Sequence, residues 1–150
     1  MSDIRLCLSS DFFYPSIGGI ETHIIELAKC FTRRRIYTII ITRSRHGYIG
    51  VQHLPFGVKC YYLKRCAFGI GDSLPSMWFG FIDVSKILLS ERITHVHCHQ
   101  STYSLAFSVA GVAELLGLRV FYTEHSLFSL GVVGSVHLSA TVSPVYNACH

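Results

Sequence analysis

The chain has 150 residues, of which 50% are hydrophobic and 15% are charged, and its formal net charge is +4. This length suits one domain with a buried core, and the low charge content excludes an intrinsically disordered protein. No run of about 18 apolar residues predicts a transmembrane helix, so any membrane contact is expected to be peripheral. The six cysteines form no CxxC pair and no regular framework, which predicts free thiols in a reducing compartment.

The first predicted elements are a strand and a helix joined through a pair of glycines. Residues 4–9 form an apolar run typical of a buried strand, and apolar side chains recur with helical spacing between residues 20 and 31. At Gly18 and Gly19 the lack of a Cβ allows a ligand to approach the backbone, and the helix start presents unpaired N–H groups. The pattern predicts either a phosphate site or simply a tight strand-to-helix turn.

The rest of the chain alternates between predicted strands and helices. Strands are predicted at 37–42, 57–63, 93–99 and 119–123, with a loop at 43–50. Helices are predicted from Pro75 to Ser90 and over 104–116. This order with short connections predicts an α/β domain with a doubly wound parallel sheet, whose ligands bind at the carboxyl ends of the strands.

Two segments have more than one interpretation. Residues 64–81 mix glycines with aromatic residues, which predicts either core packing or an apolar wall that contacts lipid chains. Residues 126–150 contain no Asp, Glu, Lys or Arg. They are expected either to pack on the sheet, with a final strand around 140–145, or to form a surface that lacks its natural cover.

Basic residues cluster after the first predicted helix and after later strands. Such clusters suit anionic lipid headgroups or nucleic acid, although cations at a helix end also favour the helix dipole without any partner. No nucleic-acid-binding motif accompanies them, so nucleic acid is not an expected partner. The clusters comprise Arg33, Arg34, Arg35, Arg43, Arg45, Lys59, Lys64 and Arg65.

Three histidines alternate along the strand predicted at 93–99. His95, His97 and His99 point to one face of a strand, where three imidazoles suit a metal ion. A metal-dependent hydrolase is therefore an alternative function. No acidic or cysteine ligand stands at a convincing spacing elsewhere, so no bound metal is expected.

Two segments carry a resemblance to a known family. Residues 10–23 read SDFFYPSIGGIETH and residues 122–128 read YTEHSLF. Both segments resemble motifs of the retaining glycosyltransferases with two Rossmann-like domains, the GT-B type of family 4. Within that group they look most like the catalytic subunits of phosphatidylinositol N-acetylglucosaminyltransferases, which begin the synthesis of glycosylphosphatidylinositol (GPI) anchors.

This resemblance implies that residues 1–150 are the N-terminal, acceptor-side Rossmann-like domain, with the C-terminal donor domain absent. The implied reaction transfers N-acetylglucosamine from its UDP donor to phosphatidylinositol. The alternatives are a truncated, non-catalytic module that binds acceptor or partner, and another GT-B enzyme such as a mannosyltransferase. The chain by itself is expected to be inactive, because relatives place most nucleotide contacts in the second domain.

The resemblance also implies roles for individual residues. His125 would lie beside the transferred sugar and act in catalysis, although it also suits a cap on the following segment. Gly18 and Gly19 would bind the donor diphosphate, and the acceptor would contact Phe12, Tyr14 and Glu21. The cleft would be lined by His97, His99 and Glu124, the last of which replaces an expected aspartate.

The implied partners are a UDP-sugar, phosphatidylinositol and other subunits of a membrane-bound transferase complex. No cofactor is implied. The implied location is the cytoplasmic face of the endoplasmic reticulum membrane.

Overall fold

The computed structural model describes residues 4–15, 17–44, 47–64, 75–99 and 104–125. Strands and helices alternate through most of these ranges, with the three helices placed between strands. In chain order the elements are β1 (Arg5–Ser10), α1 (Gly19–Arg33), β2 (Tyr37–Arg43), β3 (Gly50–His53), β4 (Lys59–Leu63), α2 (Pro75–Ser90), β5 (His95–His99), α3 (Ser104–Leu115) and β6 (Arg119–Thr123).

The strands form one sheet in the order β3-β4-β2-β1-β5-β6. All neighbouring pairs are parallel except β3 and β4, which are antiparallel. The chain winds outward from β1 in one direction to β2 and in the other to β5, so the sheet is doubly wound. The switch point between β1 and β5 is where ligands bind in sheets of this kind.

Both faces of the sheet are buried, because alternate strand residues enter two separate cores. Leu6 and Leu8 of β1 pack with α1, whereas Cys7 packs with α2 and α3 on the opposite face. Burial on both faces explains why the central strands are continuous apolar runs. Cys60 and Cys98 are likewise buried free thiols, which act as small hydrophobic side chains.

The sequence did not predict one strand, which lies between the loop predicted at 43–50 and the strand predicted at 57–63. The chain makes an additional short strand, β3, whose side chains are mostly exposed, and a turn with Gly57 at φ 82° leads into β4. Strand β3 lies at the sheet edge and has no buried face, so it lacks the apolar signal of its neighbours. The strand expected around 140–145 and most of the segment 64–81 lie outside the described residues.

Among the described residues, no helix combines the length and apolar character needed to cross a membrane.

A carboxylate joins the amino ends of several strands. Glu91 follows α2, and its side chain accepts hydrogen bonds from Tyr37 and Tyr61 and pairs with Lys59 at 2.7 Å. Arg5 Nε also donates to the Glu91 carbonyl at 2.8 Å. Burial opposes ionisation, but the hydrogen bonds outweigh it and lower the pKa of Glu91 from 4.5 to about 2.

We expect Glu91→Gln to lower the free energy of unfolding by about 1–3 kcal/mol at neutral pH. Because the folded pKa is depressed, the stabilisation from Glu91 is fully present above pH 4.5 and is lost as the pH falls towards 2. The wild-type chain should therefore lose more stability than the variant between about pH 6 and about pH 3. Urea unfolding at the two pH values measures this difference.

The matched control is Glu26→Gln, because Glu26 is exposed and pairs with Lys29 on the same helix. Its effect on stability should be negligible, because water screens an exposed ion pair. If Glu91→Gln lost as much stability on acidification as the wild type, the assignment to Glu91 would be wrong.

Candidate active site at the carboxyl edge of the sheet

Asp11 ties the carboxyl end of β1 to β2 and α3. Its Oδ1 atom lies 3.0 Å from Arg43 Nε, and its Oδ2 atom accepts a hydrogen bond from Leu105 N at 3.2 Å. The Asp11 and Arg43 side chains are only 5% and 9% exposed. A carboxylate at the start of α3 also lies at the positive end of the helix dipole. The pair therefore fixes three elements beside the switch point.

The glycine pair lies at the start of α1. Gly18 is the N-cap in an extended conformation, and Gly19 is the first helical residue, so neither requires a left-handed backbone. A Cβ at Gly18 would lie 2.6 Å from Glu21 Oε2, whereas a Cβ at Gly19 would have no described atom within 4 Å. The absence of a Cβ at Gly18 thus leaves space for the Glu21 side chain. Gly19 is exposed, and contacts with the described residues do not require glycine at that position.

The predicted acceptor residues lie in different environments. Tyr14 is 51% exposed, whereas Phe12 is half-buried and its N–H donates to Ser10 Oγ at 3.1 Å. Glu21 is 8% exposed and folds back over Gly18. Of these three side chains, Tyr14 is the most accessible to a ligand.

Four histidines gather at the carboxyl edge of the sheet. His97 Nε2 lies 2.8 Å from Thr123 Oγ1 of β6, and the His97 and His99 ring centroids are 4.1 Å apart. His99 Nδ1 lies 3.0 Å from His125 Nε2, just beyond β6. His23 of α1 approaches His99 and His125 edge-on, with centroid distances of 5.6 and 5.1 Å. Side chains from α1, β5 and the residues after β6 therefore meet at this edge of the sheet.

Burial keeps two of these rings neutral. It is the main reason that the pKa of His97 falls to about 3, and the neighbouring His23 and His125 contribute to this shift. Burial also holds the pKa of His99 well below its ordinary value, helped by the neighbouring imidazoles. At neutral pH each ring therefore has one N–H donor and one acceptor nitrogen, as hydrogen bonding to a neutral hydroxyl requires.

His95 does not join this group. Its Nδ1 atom lies 2.8 Å from Thr94 Oγ1, and its ring stacks on Phe121 at a centroid distance of 6.1 Å. Four residues of a strand span about 13 Å, so His95 and His99 share a face but lie at opposite ends of β5. The group of His95, His97 and His99 suggested by the strand pattern therefore does not form. The observed group contains His23 and His125 instead of His95.

Sequence reasoning placed His97, His99 and His125 in the cleft but missed His23 and Asp11. His23 is three residues after Ile20 and precedes the buried Ile24, so the helical period already places it on the sheet-facing side of α1. Asp11 gave no such signal, because its partners come from distant parts of the chain. Glu124 is exposed and directly precedes His125.

Comparison with known proteins identifies the family. Residues 43–131, more than half of the chain, match the family described as PIGA (GPI anchor biosynthesis). The chain belongs to this family.

Curated relatives support the assignment. A phosphatidylinositol N-acetylglucosaminyltransferase subunit from Arabidopsis thaliana is 32% identical over 136 residues, which cover 91% of this chain and 30% of that protein. The human protein of the same name is 34% identical over 132 residues, which cover 88% of this chain and 27% of that protein. The chain therefore spans less than a third of these relatives.

The fold also has a counterpart among solved structures. A glycosyltransferase from Rickettsia africae ESF-5 superposes with a TM-score of 0.57 at 14% identity, covering 87% of this chain and 32% of that one. At this identity the likeness concerns the fold alone. The predicted Rossmann-like α/β fold is confirmed.

We expect Asp11→Asn to lower the free energy of unfolding by roughly 3 kcal/mol, because Arg43 would lose its carboxylate in a buried setting. Urea unfolding at neutral pH measures the change. Asp83→Asn is the control, since Asp83 is exposed on α2 and should change stability by less than about 0.5 kcal/mol. If Asp11→Asn changed the free energy of unfolding as little as Asp83→Asn does, the structural role of the Asp11–Arg43 pair would be contradicted.

Proposed function

We propose that the chain is the N-terminal, acceptor-side domain of a retaining glycosyltransferase that makes N-acetylglucosaminyl-phosphatidylinositol. The donor is UDP-N-acetylglucosamine, the acceptor is phosphatidylinositol, and the reaction is the first step of GPI-anchor synthesis. The observation that carries this proposal is membership of the PIGA family. The polar groups at the switch point of the sheet support it, because that edge is where such sheets bind ligands.

The proposed catalytic residue is His125, which lies beyond the carboxyl end of β6 in contact with His99. Its role is to hydrogen-bond a hydroxyl of the transferred sugar and to stabilise charge that develops in the transition state. His97 and His99 line the same edge, and His99 holds His125 against the sheet. Glu124 stands beside His125 and is exposed.

The donor diphosphate is proposed to approach Gly19 and the first amides of α1. This position is exposed, has no described atom within 4 Å of a Cβ, and begins a 15-residue helix with a positive dipole end. The acceptor headgroup would contact Phe12 and Tyr14, with Glu21 supporting the turn. Most donor contacts belong to a second domain, which fits a chain that spans less than a third of its relatives.

The proposed setting follows from the substrate. Phosphatidylinositol is a membrane lipid, so the domain works at a membrane surface, here the cytoplasmic face of the endoplasmic reticulum. Other subunits of a transferase complex are the proposed protein partners, since the relatives are named as subunits.

The function is tested in a chimera in which this chain replaces the matching segment of the human relative. We expect membranes that contain the chimera to convert phosphatidylinositol and labelled UDP-N-acetylglucosamine to N-acetylglucosaminyl-phosphatidylinositol. Gly19→Val should abolish this product and the binding of UDP-sugar, because the branched side chain would fill the space that the diphosphate needs.

The control is Gly111→Val, at a helical glycine of α3 that also has no described atom within 4 Å of a Cβ. It adds the same side chain away from the start of α1 and should retain the product. A folded Gly19→Val chimera with unchanged turnover would refute the phosphate site. Synthesis of a mannosyl lipid instead would refute the proposed sugar.

The unmodified 150-residue chain should show no transferase activity, because catalysis in this arrangement requires donor and acceptor on facing domains. It should nevertheless float with vesicles that contain phosphatidylinositol more than with vesicles of phosphatidylcholine or phosphatidylserine. Tyr14→Ala should weaken this preference at low and high salt, since salt screens charge attraction but not headgroup contacts.

Phe107→Ala is the control for flotation, because Phe107 is similarly exposed, at 47%, but lies on α3. Equal flotation on phosphatidylinositol and phosphatidylserine would mean that charge attraction alone, without recognition of the inositol headgroup, accounts for the binding. Sugar transfer by the purified chain would contradict the need for a second domain.

A further inference from the structure

Three imidazoles from separate elements converge within the histidine group. His23, His99 and His125 each offer one ring nitrogen, and these nitrogens all lie within 4.8 Å of one another. They come from α1, the end of β5 and the segment after β6. We propose that these three residues bind a divalent transition metal ion of the zinc type.

The distances are close to those of a coordinated ion. Zn–N bonds of about 2.0–2.1 Å in a tetrahedral site place neighbouring nitrogens about 3.3 Å apart. The His99 Nδ1 to His125 Nε2 distance is already 3.0 Å, and no pair exceeds 4.8 Å. Closing the site thus needs a movement of about 1.5 Å or less, which a side-chain rotation of the half-buried His23 or His125 supplies.

The group is also chemically prepared to coordinate. His99 is fully buried within the group, and a neutral imidazole is the form that binds a metal ion. Its Nε2 atom is buried and has no hydrogen-bond partner among the described residues. This nitrogen can therefore carry the ring hydrogen when Nδ1 binds the ion. In the metal-free chain, His99 and His125 share a hydrogen bond. On binding, that hydrogen moves to the ring nitrogen remote from the ion.

The donor set predicts which ions bind. Three imidazole nitrogens without a carboxylate suit Zn²⁺, Co²⁺, Ni²⁺ or Cu²⁺, whereas Mg²⁺ and Ca²⁺ require oxygen ligands. The remaining coordination position would be filled by water or a substrate oxygen. The site differs from the strand pattern of His95, His97 and His99, because only His99 is common to both.

The consequence for catalysis depends on the proposed function. If His125 contacts the transferred sugar through a ring nitrogen, an ion on that nitrogen competes with the contact. The bound ion is therefore an inhibitor, and transfer itself proceeds without it.

The test measures binding directly on the purified 150-residue chain without an affinity tag. Co²⁺ is the spectroscopic probe, and Zn²⁺ affinity is measured by competition with a chromophoric chelator. We expect one ion per chain with micromolar or tighter affinity, and no competition from millimolar Mg²⁺. His23→Gln and His125→Gln, each checked for folding by circular dichroism, should weaken Zn²⁺ binding at least tenfold.

The matched control is His95→Gln, which removes an imidazole from the other end of β5 and should leave the affinity unchanged. His99→Gln should behave like the other two cluster variants, and if it fails to fold, the half-buried His23 and His125 still decide the question. Absence of binding, equal loss in His95→Gln, or wild-type affinity in the cluster variants would each overturn the site.

The chimera separates this proposal from the proposed function. Inhibition by Zn²⁺ that is relieved in His23→Gln is the expected result. Direct binding of the ion to a chain whose chimera makes no product would leave the metal site standing while the proposed function fails.

Discussion

The buried pair between Asp11 and Arg43 is the interaction on which the ligand-binding edge depends. Taking both charges out of water costs nearly as much as their attraction returns, so the pair contributes little net stability. Breaking it is costly, however, because one charge would stay buried without its partner. The pair therefore acts as a geometric constraint that holds the ends of β1 and β2 and the start of α3 in one arrangement.

Glu91 has the corresponding role at the amino ends of the strands. Its partners reside on β2 and β4, while its carbonyl accepts from β1. One carboxylate links strands at their amino ends and another at their carboxyl ends, so the sheet is constrained along the length of its strands. Apolar packing holds its two faces. The segments at the carboxyl edge can then carry buried polar groups without loosening the sheet.

Burial of the histidines has a chemical consequence as well as a cost. An imidazole that is charged in water must lose its proton when it enters an apolar setting, and nearby rings of the same kind strengthen this effect. The result is a group of neutral donors and acceptors whose orientation is set by hydrogen bonds to Thr123 and among themselves. Neutral imidazoles suit hydrogen bonds to hydroxyl groups, which is the contact that the proposed function requires of them.

The sequence predicted the parts of the structure that depend on local pattern. Central strands and helices were found because burial on both faces requires apolar runs, whereas β3 was missed because an exposed edge strand needs none. Period two placed His95 and His99 on one face, but the rise per strand residue separates them by about 13 Å, so a shared face does not make them one site. The partners of Asp11 and Glu91 were unpredictable, since these contacts join residues 30 to 94 positions apart that meet only in the folded chain.

The start of α1 shows how a structural and a functional use of glycine can be separated. Gly18 is explained by the fold, because Glu21 occupies the place where its Cβ would be, and this carboxylate already complements the helix dipole. Gly19 is exposed and helical, and no described atom lies within 4 Å of its Cβ position, so packing among the described residues does not require glycine there. In the proposed function, a ligand that approaches the backbone gives Gly19 a use that packing among the described residues does not, so the proposed phosphate contact is at Gly19 rather than at Gly18.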